Sequence, residues 1–166
     1  MQKVSVETLK DNLIKLISQD WMLLAAGDRT NFNMMTANWA GLGYLWYQPV
    51  SFCFVRPQRY TFEFMEKSAG FTMSFFPEQY RDALNLCGSQ SGRDIDKVKA
   101  SGLTPAFTEN GAPYLAEARL VLECRKLYSR SLEESGFHDP AIPAEVYAGK
   151  DFHRLYIGGI IQCLVG

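Results

Sequence analysis

The sequence predicts a mainly β protein in which antiparallel strands form a closed barrel and short helices connect them. Short segments rich in aromatic and β-branched residues recur between glycines and prolines, as is typical of β-strands. The helical patterns are few and short, and they do not alternate with strands in the regular rhythm of a parallel α/β sheet. A chain of 166 residues is expected to fold as one domain, here residues 1–166.

The first third of the chain predicts one helix and three strands. Apolar side chains at helical spacing over residues 5–18 predict an opening amphipathic helix. Residues 21–26 and 31–37 flank a turn at Gly27 and predict a β-hairpin. Residues 50–55 predict the third strand, and the glycine-containing segment before it predicts a loop.

The middle of the chain predicts short helices around one strand. The pattern favours a helix over residues 60–68 and a strand over residues 71–75. Residues 78–87 predict a further helix with Gly88 just beyond its C-terminal end. Asp94 is the expected N-cap of the next short helix.

The C-terminal part predicts two long strands joined by a long loop. Apolar and polar residues alternate over residues 118–124, which predicts a half-buried antiparallel strand, and residues 127–132 are expected to continue it past a bend. Residues 133–150 predict a loop rich in glycine and proline that is long enough to have a function. Residues 153–165 predict the last strand, with a bulge at the Gly158-Gly159 pair.

Charge and composition argue against several classes of partner. Lys+Arg 17 and Asp+Glu 18 nearly balance, so neither a nucleic acid nor a membrane is expected as a partner. The N-terminus lacks the apolar segment of a signal peptide, which favours a cytoplasmic protein. The four cysteines lie far apart and are expected to be reduced and buried. With only two histidines, no metal site is expected.

Two motifs carry polar groups suited to a nucleotide-like ligand. Residues 33–39 present amide, hydroxyl and indole groups at an uncharged strand end, which suits the polar edge of a heterocycle. The alternative is that these groups satisfy the backbone where the strand ends. Residues 55–61 place Arg56 and Arg59 around a proline at a helix start, where a phosphate is favoured; solvated surface arginines are the alternative.

Residues 87–97 form a second candidate phosphate loop, with two hydroxyl groups, two glycines and Lys97. The alternative is the end of one helix followed by the start of the next, with Asp94 and Asp96 as caps. His153 begins the last strand and is a candidate donor of a hydrogen bond or proton near a cofactor, with a structural role as the alternative.

Taken in order, these segments resemble the flavin reductase-like family of FMN-binding split barrels, including its flavoredoxin-like members. The matching motifs are N-x-M-T-A-x-W at 33–39, V-R-P-x-R-Y-T at 55–61, F-T-x-S-F-F at 71–76, G-x-x-S-G-x-D-x-D-K at 88–97 and D-x-H-x-x-Y-I-G at 151–158.

The resemblance implies a six-stranded antiparallel, Greek-key-like split β-barrel with short flanking α-helices. It also implies a homodimer that binds FMN near the dimer interface, with the FMN phosphate at the arginine motif or the 89–97 loop. His153 would be the catalytic residue near the nicotinamide. The residues implied to bind the cofactor are Asn33, Met35, Thr36, Ala37, Asn38, Trp39, Arg56, Arg59, Tyr60, Thr61, Ser74, Ser89, Ser91, Gly92 and Lys97.

The activity that the resemblance implies is an NAD(P)H-dependent flavin reductase. Such a protein takes electrons from NADH or NADPH and passes them to free flavin or another acceptor. The alternatives are an electron carrier with tightly bound FMN and no nicotinamide site, and a ligand-binding barrel with no redox role.

The aromatic residues are expected to divide between the core and this site. Fourteen of the aromatic rings lie between residues 30 and 80. Five are expected in the barrel core: Phe52, Phe54, Phe62, Phe64 and Phe71. Five others are expected near the flavin and the dimer interface: Trp39, Tyr44, Trp46, Tyr47 and Tyr60.

Overall fold

The computed structural model describes residues 1–166 and contains ten strands and five α-helices. The strands are β1 (Gln2–Val4), β2 (Met22–Gly27), β3 (Phe32–Ala37), β4 (Ala40–Leu45), β5 (Gln48–Val55), β6 (Gly70–Phe75), β7 (Pro105–Phe107), β8 (Pro113–Leu115), β9 (Leu120–Ser131) and β10 (Arg154–Val165). The helices are α1 (Leu13–Lys15), α2 (Tyr60–Lys67), α3 (Arg81–Ser89), α4 (Lys97–Ser101) and α5 (Ala141–Val146). None of the helices is long and apolar enough to cross a membrane.

Eight strands form one antiparallel sheet, whose hydrogen-bonded order is β3-β2-β6-β9-β10-β5-β4. The eighth strand, β1, pairs with the C-terminal end of β10, while β5 pairs with the N-terminal half of β10. The path is open between β3 and β4, which are its two ends, and β7 and β8 form a separate two-stranded sheet. The prediction of a mainly β, antiparallel split barrel with short helices is therefore confirmed, with more strands than the six that the resemblance implied.

Two apolar clusters lie on opposite faces of the sheet. The inner cluster fills the barrel and includes Met73, Phe75 and Tyr156. The outer cluster lies between the sheet and α3 and includes Leu23 and Leu84. Because both faces of the central strands are covered, residues 120–124 are all buried. The prediction of a half-buried strand at 118–124 is wrong for this reason, although its continuation into 127–132 as one strand is confirmed.

The pairing of the long strands β9 and β10 is irregular at the predicted bulge. The register shifts between Ile157 and Gly158, and Leu127 on β9 is left without a partner. A Cβ atom on Gly158 would lie 2.7 Å from the Phe71 ring, so this close approach requires glycine.

The N-terminal helix and the loop before β5 differ from the prediction. The segment 5–18 begins with an isolated turn at Val6–Thr8, and continuous helical structure starts only at Leu13. The expected loop is the strand β4, which pairs with β5 from Ala40–Cys53 to Leu45–Gln48. Only Gly43 packs tightly against Phe52, since a Cβ atom there would lie 3.3 Å from that ring. Two glycines in the segment favour a loop, whereas pairing with the next strand makes it a strand.

Two predicted helix boundaries are also corrected. The helix α3 continues through Gly88 to Ser89, and Gly88 allows close packing because a Cβ atom there would lie 3.2 Å from Thr36. The N-cap of α4 is Asp96, not Asp94, since the Asp96 side chain accepts a hydrogen bond from the Lys99 amide. The predicted helix at 60–68 and strand at 71–75 are confirmed as α2 and β6.

Candidate functional site

A cavity of about 330 Å³ lies where β3 leads into β4, at the open side of the barrel. The connection Asn38-Trp39 joins the two ends of the hydrogen-bonded path, so its side chains are not covered by a further strand. The residues that line the cavity are Met35, Thr36, Ala37, Asn38, Trp39, Phe54, Arg56, Arg59 and His153. All of these except Phe54 were predicted from the sequence as site residues.

A second cavity of about 340 Å³ adjoins the first. The two cavities share Thr36, Asn38 and Arg59, so together they form one elongated cleft. The further residues of the second cavity are Trp21, Leu84, Asn85, Gly88 and Ser89. One end of the cleft is therefore lined by aromatic rings and β3, and the other by the C-terminal end of α3.

The two arginines of the 55–61 motif have different partners. Arg56 pairs with Asp151 at 2.5 Å, and its second nitrogen donates to the Val146 carbonyl at 3.0 Å. Arg59 donates to the Gly88 carbonyl at 2.8 Å and has no carboxylate partner. Its remaining N–H groups are therefore free for an anion. Arg59 also directly precedes α2, so its charge adds to the positive end of that helix.

His153 forms part of the cavity wall and is 9% exposed. Its Nδ1 atom lies 2.8 Å from the Tyr147 hydroxyl, and its ring lies 4.9 Å from the Trp39 ring. Burial, together with the nearby Arg56 cation, lowers the pKa of His153 to about 4. The imidazole is therefore neutral near pH 7.

The segment that precedes His153 packs against the Arg56 and His153 side chains of the first cavity. The Tyr147 ring lies 4.9 Å from Phe152 and 5.8 Å from Phe137, and Arg56 lies 5.3 Å above it. The predicted loop 133–150 thus contains a helix, α5, and ends in an aromatic cluster beside the cavity.

Three residues of this region were not predicted as site residues: Phe54, Tyr147 and Asp151. Phe54 was expected in the barrel core, and that prediction is wrong, because Phe54 lines the first cavity. Phe54 alternates with the buried Cys53 and Val55 along β5, so the alternation was a usable signal that Phe54 does not share their face. The contacts of Tyr147 and Asp151 with Arg56 join residues about ninety positions apart, and no local pattern encodes them.

Several predicted cofactor-binding residues are not brought into the cleft. Asn33 donates to the Thr61 hydroxyl at 2.8 Å, and both side chains are buried. Gly92 packs directly against the Asn33 amide. Lys97 is buried and donates to two carbonyls, at 2.9 Å to Met34 and 2.7 Å to Cys87. These contacts connect β3 to α2, α3 and the 89–97 loop.

The other predicted residues also lie outside the cleft. Ser74 is fully buried in β6, and its hydroxyl has no partner. Tyr60 lies between Phe64 and Arg93, and Ser91 accepts a hydrogen bond from the Arg93 amide. Of the 89–97 loop, only Ser89 lines the cleft.

Comparison with known proteins gives one family and many similar structures. The family model for the flavin reductase like domain matches residues 14–165. An FMN-binding protein from Thermus thermophilus is 21% identical, with a TM-score of 0.69, and the match covers 99% of this chain and 80% of that one. Flavoredoxin from Desulfovibrio vulgaris is 23% identical, with a TM-score of 0.69 and coverage of 99% and 77%.

An NADH:FAD oxidoreductase from Streptomyces globisporus is also similar. It is 19% identical, with a TM-score of 0.66, and the match covers 89% of this chain and 75% of that one. At these identities the similarity shows a shared fold. A comparison with curated proteins found no significant match.

Proposed function

The chain belongs to the flavin reductase-like domain family, a family of flavin-related oxidoreductases, and from this we propose that it binds FMN and uses it to pass electrons from NADH or NADPH to free flavin or another acceptor. The observation that carries the proposal is the elongated cleft, which has an aromatic end and, where its two cavities meet, the Arg59 cation without a carboxylate partner.

The first cavity fits the ring system of a flavin. An isoalloxazine has apolar faces and a polar edge, so its site needs apolar walls and a few hydrogen-bonding groups. Met35, Phe54 and Trp39 supply apolar surface, while the exposed Asn38 supplies an amide that the chain does not use. These residues match the ring end of FMN.

The second cavity fits a phosphate group. Arg59 has free N–H donors and stands at the N-terminus of α2, where an anion is favoured. The Ser89 hydroxyl and the Asn85 amide line the same cavity. Arg56 is already neutralised by Asp151, so we assign the phosphate to Arg59.

When bound, FMN supplies the redox chemistry, because hydride or electrons are accepted at its own ring. The chain contributes orientation and hydrogen bonds. Trp39 and Phe54 would line the wall beside the ring, Arg59 would hold the phosphate end, and His153 would offer a neutral polar group at the wall of the first cavity.

The proposal is tested on the purified protein under anaerobic conditions. We expect FMN to bind and to give the absorbance bands of a flavoprotein. Rapid mixing with NADH, and separately with NADPH, should bleach these bands. Bleaching by either donor supports the reductase, whereas bound FMN that neither donor reduces would indicate an electron carrier. A protein that takes up no FMN would contradict both functions.

The position of the phosphate is tested with Arg59→Ala. We expect this variant to weaken FMN binding by about 1.5–3 kcal/mol, the usual value of hydrogen bonds to a charged group. Isothermal titration with FMN measures the change. Arg130→Ala is the matched control, because Arg130 is exposed and pairs only with Glu133 outside the cleft. An unchanged affinity in Arg59→Ala would place the phosphate elsewhere, with the Ser89 loop as the next candidate.

A further inference from the structure

The buried Tyr147 is the only residue that hydrogen-bonds to the His153 ring. We propose that Tyr147 is a positioning residue: its hydroxyl donates to Nδ1 of His153 and thereby keeps the imidazole proton on Nε2, so that His153 offers an N–H donor to the group bound in the first cavity.

The direction of this hydrogen bond follows from the partners available. Tyr147 is 4% exposed, and the only acceptor within hydrogen-bond distance of its hydroxyl is Nδ1 of His153, at 2.8 Å. A buried phenol proton needs an acceptor. If Nδ1 carried the imidazole proton, the phenol proton would have none. Nδ1 is therefore the acceptor, and a neutral imidazole then carries its proton on Nε2.

The surrounding contacts hold Tyr147 in place. Its ring packs against Phe137 and Phe152, and the Arg56 guanidinium covers it at 5.3 Å. Arg56 is itself fixed by Asp151, which also accepts a hydrogen bond from Gln58 at 2.6 Å. The phenol therefore approaches His153 from one fixed direction.

The charges around His153 favour the neutral ring. Arg56 and Arg59 disfavour the imidazolium, as does burial, and Asp151 only partly opposes them. Burial also raises the pKa of Tyr147, so the phenol keeps its proton. Nε2 makes no hydrogen bond within the chain and is not among the fully buried unpartnered atoms. It is the ring nitrogen left for a ligand.

The tautomer is tested by long-range proton–nitrogen NMR correlations on the ¹⁵N-labelled protein near pH 7. We expect His153 to show a protonated Nε2 and an unprotonated Nδ1. The chain has only two histidines, and the exposed His138 serves as the internal reference for exchanging tautomers. In Tyr147→Phe, which keeps the ring but loses the hydroxyl, we expect the His153 signals to move to the averaged pattern of mixed tautomers.

Tyr114→Phe is the matched control, because Tyr114 lies on β8 outside the cleft and should leave the His153 signals unchanged. A proton on Nδ1 in the wild type, or an unchanged tautomer in Tyr147→Phe, would overturn the proposal. One part of the proposal, that Nε2–H of His153 donates to bound FMN, rests on the proposed function. If it does, Tyr147→Phe should raise the FMN dissociation constant roughly three- to tenfold. If the protein took up no FMN, the proposed function would fail, but the NMR pattern would still decide the position of the proton.

Discussion

Arg56 and Arg59 lie three positions apart in one motif, yet their surroundings give them different expected roles. Arg56 is held by Asp151 and the Tyr147 ring, so it stabilises the segment before β10. Arg59 keeps free donors in the cleft. An arginine in the sequence therefore marks a possible anion site, but the ion pairs of its side chain decide whether it can bind an anion.

The pKa of His153 gives a prediction about stability. Its value is about 4 in the folded protein, against 6.5 for an ordinary histidine. Between about pH 4 and pH 6.5, His153 binds a proton in the unfolded chain but not in the folded protein. The free energy of unfolding should therefore fall as the pH is lowered through this window, by on the order of 3 kcal/mol from this group. Well above pH 6.5 neither state binds a proton at His153, so this group no longer lowers the free energy of unfolding.

Denaturant unfolding from pH 8 to pH 4 measures this effect. We expect His153→Gln to show a weaker pH dependence than the wild type. His138→Gln is the control, since His138 is exposed, and its pH dependence should follow that of the wild type. Equal slopes for the wild type and His153→Gln would contradict the low pKa of His153.

At the scale of elements, the bulge in the β9–β10 pair coincides with a close approach to the barrel core. The register shift at Gly158 lets β10 pass over the Phe71 ring, with Leu127 left unpaired on β9. The bulge was predictable because two adjacent glycines interrupt an apolar strand. The contact of Gly158 with the Phe71 ring was not predictable, because Phe71 lies on β6, far away in the chain.

Gly158→Ala tests this close approach. The new Cβ atom would lie 2.7 Å from Phe71 and 2.8 Å from Cys124, both fully buried, so we expect a loss of about 1–3 kcal/mol from overpacking. Thermal and denaturant unfolding measure it. Gly136→Ala is the control, since no atom lies within 4 Å of its new Cβ atom. Equal stability of the two variants would show that the strands can shift to admit a methyl group.

At the scale of the whole molecule, the β4–β5 hairpin presents exposed aromatic residues. Tyr44 is 68% exposed, and the two turn residues Trp46 and Tyr47 are 50% and 94% exposed. Both turn residues have positive φ, 51° and 60°, which bulky side chains adopt only at a cost. Asparagine and glycine would suit this turn better. We therefore propose that the hairpin is the interface of a homodimer, in which these rings are covered.

Sedimentation velocity at micromolar concentration tests the dimer. We expect the wild type to sediment as a dimer and the double variant Trp46→Asn, Tyr47→Gly to shift towards the monomer, because it loses the aromatic contacts. Ile142→Asn, which changes an exposed apolar residue of α5, is the control and should remain dimeric. A monomeric wild type, or a double variant that stays fully dimeric, would contradict the proposal.

The sequence by itself determined the fold class, most strands, the family resemblance and the segment of β3 that lines the first cavity. These properties depend on local patterns: β-branched and aromatic runs, turn residues and motifs within ten positions. The strand β4 was not predicted, because its two glycines favour a loop and its pairing with β5 is not encoded in the local sequence.

Only the tertiary structure decided which polar residues face the cleft. Asn33, Thr61 and Lys97 belong to matching motifs, but strand and helix packing pairs them with one another or with backbone carbonyls. The contacts of Arg56 with Asp151 and of Tyr147 with His153 depend in the same way on where the segment before β10 packs. Sequence patterns report local conformation and burial, whereas the partner of a buried polar group is set by the register of strands that are distant in the chain.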